Sequence, residues 1–178
     1  MIAQLDTKTV YTFMESSVTL KDYVQKAKSL SYHAIGMMDV DNLYGAYEFI
    51  EACQANNLKP LVGLELELEL ENERIPFRML ALSTKGYQNL MKMSTVKMMG
   101  KGNWEDVKHL TEGVAVIVPA PFASEELALG LDYFIGVFGD TPAQVYTHPV
   151  IPLHTVRFFE AEDVEAMQML AAIKENQT

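Results

Sequence analysis

Eight consecutive residues, Leu64-Glu65-Leu66-Glu67-Leu68-Glu69-Leu70-Glu71, alternate leucine and glutamate without a break. A helix would scatter these leucines around its circumference, whereas a strand sends successive side chains to opposite faces. The segment therefore reads as a strand with a leucine face against a core and a glutamate face toward water. An acidic ladder that collects metal ions is the sharper alternative, but so regular an alternation fits a solvated face better. The strand extends over Pro60 to Glu71. Phe77 to Leu82 reads as its hairpin partner, with the turn near Asn72-Glu73.

Around this hairpin, short apolar runs alternate with helical patterns. A first strand covers about Ile2 to Leu5. Thr19 is a suitable N-cap for a helix whose apolar stripe is Leu20, Tyr23, Val24, Ala27 and Leu30. Ala34 to Met38 reads as strand and Leu43 to Ala55 as helix. A further helix starts near Thr84 and carries Tyr87, Leu90, Met91 and Met93. Val114 to Val118, Tyr133 to Phe138 and Val150 to Leu153 read as strands, and a helix from Glu160 to Glu175 follows. Such alternation predicts a parallel α/β sheet or barrel. In a barrel, residues just beyond the strands share one rim, and Asp6, Asp39, Asp41 and Glu65 all hold such positions.

The chain has 178 residues, 49% of them hydrophobic, which suits one domain over residues 1–178 with a core of its own. Cys53 is the single cysteine, so no internal disulfide forms, and a buried inert thiol in a reducing cytoplasm is the expectation. No apolar run is long enough to span a bilayer, and the N-terminus lacks the basic and apolar segments of a secretion signal. The formal net charge is −10. A protein that grips a nucleic-acid backbone clusters Lys and Arg, so no direct hold on a duplex is expected.

Three stretches carry a family resemblance. They are Gln4-Leu5-Asp6-Thr7-Lys8-Thr9-Val10-Tyr11, Gly36-Met37-Met38-Asp39-Val40-Asp41-Asn42-Leu43-Tyr44-Gly45-Ala46 and Lys59-Pro60-Leu61-Val62-Gly63-Leu64-Glu65. Their order and spacing resemble the PHP (polymerase and histidinol phosphatase) domain at the N-terminus of the bacterial replicative DNA polymerase III alpha subunit. Ala81 to Leu90, with its Gly86-Tyr87-Gln88-Asn89-Leu90, and Pro149 to Phe159 extend the likeness over the whole chain. The resemblance implies a distorted (β/α)7 barrel. The stretch between Val118 and Tyr133 is short, which points to an incomplete one, and Ala120 stands near the family's Cys.

The same resemblance implies a metal site, and here its ligands are depleted. Asp6 and Lys8 stand where the family has a His-x-His pair, and Val40 stands where it has a third histidine. Thr155 and Arg157 hold the positions of the final Asp and His. Of roughly nine ligands that a trinuclear site requires, only Asp39 and Glu65 match, with Asp6 a substitute. Asp6, Asp39, Asp41 and Glu65 remain as weak candidates for Mg2+ or Mn2+ through oxygen; without imidazole they suit zinc poorly. His33, His109 and His148 read as ordinary surface or satisfied histidines, and His154, at the position of the family's Asn, is the only one near the rim. Gly100-Lys101-Gly102-Asn103 lacks the spacing of a phosphate-binding loop and reads as a turn. Asp39-Val40-Asp41 superficially resembles a two-metal Asp-x-Asp, but it aligns with the PHP motif instead.

These observations imply an N-terminal fragment of a larger polymerase subunit, catalytically silent and without a cofactor of its own. Its partners would be the remaining domains of that subunit and the replisome. The alternatives are an active metal-dependent phosphoesterase, either a 3′–5′ exonuclease or a small-molecule phosphatase, and a free-standing barrel that binds a cation without chemistry. For the silent reading, Lys8 and Arg157 are expected to replace the lost metal charge. They would form a salt-bridge cluster with Asp6, Asp39 and Glu65, centred on Arg157, whose guanidinium can pair with two acids.

Overall fold

The computed structural model of the protein describes residues 3–139 and 144–174. The fold is α/β. Seven strands lie in chain order, β1 Ala3–Gln4, β2 Ala34–Val40, β3 Lys59–Leu70, β4 Glu73–Ala81, β5 Val114–Pro119, β6 Asp132–Val137 and β7 Val150–Pro152. The helices are α1 Leu20–Ser29, α2 Ala46–Ala55, α3 Thr84–Met98, α4 Trp104–Val107, α5 Glu125–Ala128 and α6 Asp163–Lys174. Ile2 and Glu175, assigned to the first strand and the last helix from sequence, lie outside the described residues. Among the described residues, no helix is long and apolar enough to cross a membrane.

The chain divides into two compact units. The first comprises residues 1–39, 44–61 and 155–178; the second comprises 40–43 and 62–154. In the first unit β1 pairs in parallel with β2, Ala3 opposite Ala34 and Gln4 opposite Ile35. Gly36 permits that approach, since a Cβ there would lie 2.3 Å from the Leu5 carbonyl oxygen. Helix α1 begins as the sequence predicts. The Thr19 side chain accepts from the Asp22 N–H, the acidic Asp22 lies in the first turn and Lys26 and Lys28 in the last. Leu20, Tyr23, Val24 and Ala27 are buried, but Leu30 caps the helix and is 55% exposed. Tyr23 stacks between Phe49 of α2 and Phe159, with both ring centroids 6.2 Å away. Burial also pushes the Cys53 thiol up to about 12, which leaves it an inert core side chain.

In the second unit β4 pairs antiparallel with both β3 and β5, while β5, β6 and β7 pair in parallel. The sheet is therefore mixed. The alternation of β3 behaves as expected: Leu64, Leu66 and Leu68 are fully buried, while Glu67 and Glu69 are exposed. Their core partners include Phe77, Met79, Leu90, Met93, Trp104 and Val116. Helix α3 is capped by Ser83, whose hydroxyl oxygen accepts from the Gly86 N–H at 3.1 Å. Met91, placed on its apolar stripe from sequence, is 43% exposed.

Several boundaries differ from the sequence reading; α6 starts at Asp163 rather than Glu160, and β2 runs on to Val40. Helix α2 starts at Ala46 rather than Leu43. The hairpin turn lies at Glu71-Asn72, one residue earlier than expected, and β4 begins at Glu73 rather than Phe77. Both turn residues adopt left-handed backbone, with φ 53° and 68°, as a tight two-residue hairpin of the primed type requires. The one-residue difference sets which side chain faces Glu65 across the ladder. A β-branched residue tolerates positive φ poorly. Asn72→Val is expected to lower stability by about 1–2 kcal/mol, read as a lower urea midpoint at unchanged slope. An unchanged midpoint would contradict this turn geometry.

Candidate functional site

In the first unit the backbone of residues 6–8 is held on both sides. The Met38 N–H donates to the Thr7 carbonyl at 2.9 Å, the Lys8 N–H to the Val156 carbonyl at 2.9 Å, and the Val156 N–H to the Asp6 carbonyl at 2.9 Å. Thr7 and Val156 thus form a parallel bridge. Extended backbone sends alternate side chains to opposite faces. Thr7 points to the face of Tyr23, donating to its hydroxyl oxygen at 2.9 Å. Asp6 and Lys8 point together to the other face, where Thr155, the neighbour of Val156, reaches them.

Both Asp6 and Lys8 are completely buried. The Lys8 ammonium lies 2.8 Å from Asp6 Oδ1 and donates to the Met38 carbonyl at 2.5 Å. The second oxygen of Asp6 accepts from the Thr155 hydroxyl at 2.7 Å. Asp39, also completely buried, is enclosed by the loop that follows Lys8. Its Oδ1 accepts from the Thr9 N–H at 2.6 Å and the Thr12 hydroxyl at 2.7 Å, and its Oδ2 from the Thr9 hydroxyl at 2.7 Å. Every carboxylate oxygen of Asp6 and Asp39 therefore has a donor from within the protein. Taking such charges out of water is tolerable only with this degree of pairing and hydrogen bonding.

Arg157 does not join them. Its guanidinium pairs with Glu15 at 2.6 Å, and Glu15 also pairs with Lys174 of α6. The reason is local: Ser16 and Ser17 bond the Arg157 carbonyl, which brings Glu15 alongside. The cluster expected around Arg157 is thus replaced by one around Lys8. Burial alone would raise the Glu15 carboxyl, but hydrogen bonds from Lys174 and Arg157 outweigh it and hold the group below its ordinary value of 4.5.

Glu65, Val40 and Asp41 belong to the second unit. Glu65 is buried and faces Arg78 across the β3–β4 ladder, with Arg78 Nη2 3.0 Å from Glu65 Oε2. Arg78 also donates to the Pro76 carbonyl at 3.3 Å and lies over the Phe138 ring, 5.0 Å from its centroid. Asp41 has φ 60°; its N–H donates to the Glu65 carbonyl at 2.8 Å, and its carbonyl accepts from Ser94 at 2.7 Å. The Val40 carbonyl accepts from the Asn42 side chain. His33, His109 and His154 are exposed, His109 in a single 3-10 turn, and His148 bonds Glu125 at 2.9 Å. Among the described residues, no group of three or more His, Cys, Asp and Glu side chains is arranged to hold a metal ion.

Thr9, Thr12, Glu15 and Arg78 escaped the sequence reading. Arg78 was legible in principle, because placing the turn at Glu71-Asn72 puts it opposite Glu65. With the turn at Asn72-Glu73, an apolar residue would stand there instead.

A family model described as the PHP domain matches residues 4–136. The chain belongs to the PHP domain family. It is 46% identical over 178 residues to DNA polymerase III subunit alpha of Streptococcus pyogenes serotype M3, a match that covers 99% of this chain and 17% of the relative. The Mycoplasma genitalium protein of the same name is 34% identical over 118 residues, covering 66% of this chain and 13% of the relative. The PHP domain described here therefore spans less than a fifth of the length of these relatives. Among solved structures, a Bifidobacterium adolescentis protein assigned as a metal-dependent phosphoesterase matches with TM-score 0.58 and 12% identity, covering 98% of this chain and 84% of that one. An amidohydrolase from Chromobacterium violaceum matches with TM-score 0.56 and 11% identity, covering 99% and 84%. At these identities the likeness establishes the fold alone, and it agrees with the PHP-type α/β fold read from the sequence.

Lys8→Met leaves the Asp6 carboxylate buried without its cation and is expected to cost about 3–5 kcal/mol in urea unfolding. Lys8→Met combined with Asp6→Asn should recover most of that loss. A neutral Lys8→Met, or a double variant no more stable than the single, would contradict a buried pair. Arg157→Met is expected to cost about 1 kcal/mol or less, because water reaches the Glu15 pair. The Glu15 contribution is present above about pH 4.5 and is lost as the carboxyl protonates on acidification. A several-fold larger effect of Arg157→Met, or one that grows toward acid, would restore the arginine-centred account.

Proposed function

We propose that this PHP domain is a catalytically silent, structural part of a DNA polymerase III alpha subunit, standing at its N-terminus and supporting template-directed DNA synthesis in chromosome replication. One observation carries the reading: the carboxylates left at the family's ligand positions in the first unit are spent on internal donors. A hydrolytic metal ion needs several free lone pairs and an open position for water. Asp6 and Asp39 direct their oxygens to Lys8, Thr155, Thr9 and Thr12 instead. Lys8 already supplies a positive charge there, and a divalent ion brought beside it would be repelled. This donor set does not fit a multinuclear metal centre.

The acidity of the chain supports a role in packing rather than in holding the duplex. On this reading its partners are the other domains of the subunit and, through them, the cytoplasmic replisome. Nucleotidyl transfer would belong to those other domains. The rival reading, an active phosphoesterase, has the fold in its favour but lacks the ligands.

The purified domain is expected to release neither nucleotides from DNA ends nor phosphate from monoesters in Mg2+, Mn2+ or Zn2+. A metal-dependent activity that persists through purification and disappears in folded Asp6→Asn and Asp39→Asn variants would overturn the silent reading.

A further inference from the structure

The second unit contains a cleft of about 480 Å3 between the tip of the β3–β4 hairpin, helix α4 and helix α5. That size lies within the ordinary range of ligand and peptide pockets. Trp104 forms part of its wall and is held in place by stacking on Phe77, with centroids 4.8 Å apart and planes 8° from parallel. Ile75 and Leu127 contribute further buried apolar surface, and Leu129 stands at the wall 78% exposed. Leu129 is thus an exposed apolar side chain on the same cleft as the buried Trp104, within reach of a ligand that enters it.

The charges around this cleft are predominantly negative. Glu71, Glu73, Glu105 and Glu126 line the cleft, and the lining cation, Lys108, is 2.5 Å from Glu105. An anionic nucleic acid would be repelled, and a second copy of this chain brings a net charge of −10 of its own. Complementary potentials select partners at such surfaces. We propose that this cleft is a docking site for a peptide segment of a partner protein, in which bulky apolar side chains are flanked by Lys or Arg. The apolar residues enter against Trp104 and Leu129, and the basic residues meet Glu73 and Glu126. This assignment is independent of the silent reading, since none of these residues holds a ligand position of the family.

Trp104 is the only tryptophan of the chain, so its emission reports on the cleft directly. The test titrates the full 178-residue protein with an end-capped peptide of two leucines flanked by arginines. Three controls are a glutamate-flanked peptide, a peptide with serines for the leucines, and a short DNA duplex. The expected result is a saturable change in Trp104 emission with the arginine–leucine peptide alone. In a Glu73→Lys/Glu126→Lys variant with native circular dichroism, that binding should weaken at least about tenfold. No saturable change, equal binding of the serine or glutamate peptides, saturable binding of the duplex, or full affinity in the charge-reversed variant would each overturn the proposal.

Discussion

A lysine ammonium with no exposure to water is the constraint around which the first unit is organised. Desolvating a cation costs several kcal/mol even after the protein relaxes, so Lys8 requires a carboxylate and further acceptors at close range. Asp6 and the Met38 carbonyl meet that requirement, and Thr155 completes Asp6. Meeting it fixes the chain locally, because the backbone on either side of Thr7 must be bridged to both Met38 and Val156. A metal ion would impose a similar convergence of chain segments, and here a covalently tethered charge does so.

The second unit follows the same rule with a different cation. Glu65 is buried on the otherwise solvated face of β3, and Arg78 on the adjacent strand neutralises it. Arginine suits the place, since its planar fork pairs with a carboxylate while its face lies over Phe138. Asp39 shows a third solution in which hydroxyl and backbone donors replace a cation. A buried carboxylate can be stabilised by either route.

The fold was largely legible because it depends on patterns with a definite period. The Leu-Glu alternation gave the buried and solvated faces of β3, and the Thr19 cap gave the start of α1. The site was legible only at its positions. That Asp6, Lys8, Asp39 and Thr155 stand together followed from the motif order, but their pairing depends on which backbone segments bond on each side of Thr7. Arg157 was drawn to Glu15 by a contact between residues far apart in the chain, which no local pattern announces. Arg78 faces Glu65 only with the turn at Glu71-Asn72; a turn one residue later shifts every cross-strand partner by two and puts Leu80 opposite Glu65. Leu30 and Met91 illustrate the other limit, since an apolar residue at helical spacing can still face solvent.

If Lys8 stands in for metal charge, as the proposed function holds, the fold is independent of bound ions. Ligands that bind only the folded state raise its stability by mass action. The direct measurement is the thermal midpoint of the metal-free protein, with chelator and with increasing Mn2+ or Zn2+, alongside elemental analysis of the protein as purified. The account predicts no bound transition metal and a midpoint that neither chelator nor added ion moves. Stoichiometric metal in the purified protein, with a midpoint several degrees lower after its removal and restored by its return, would contradict it.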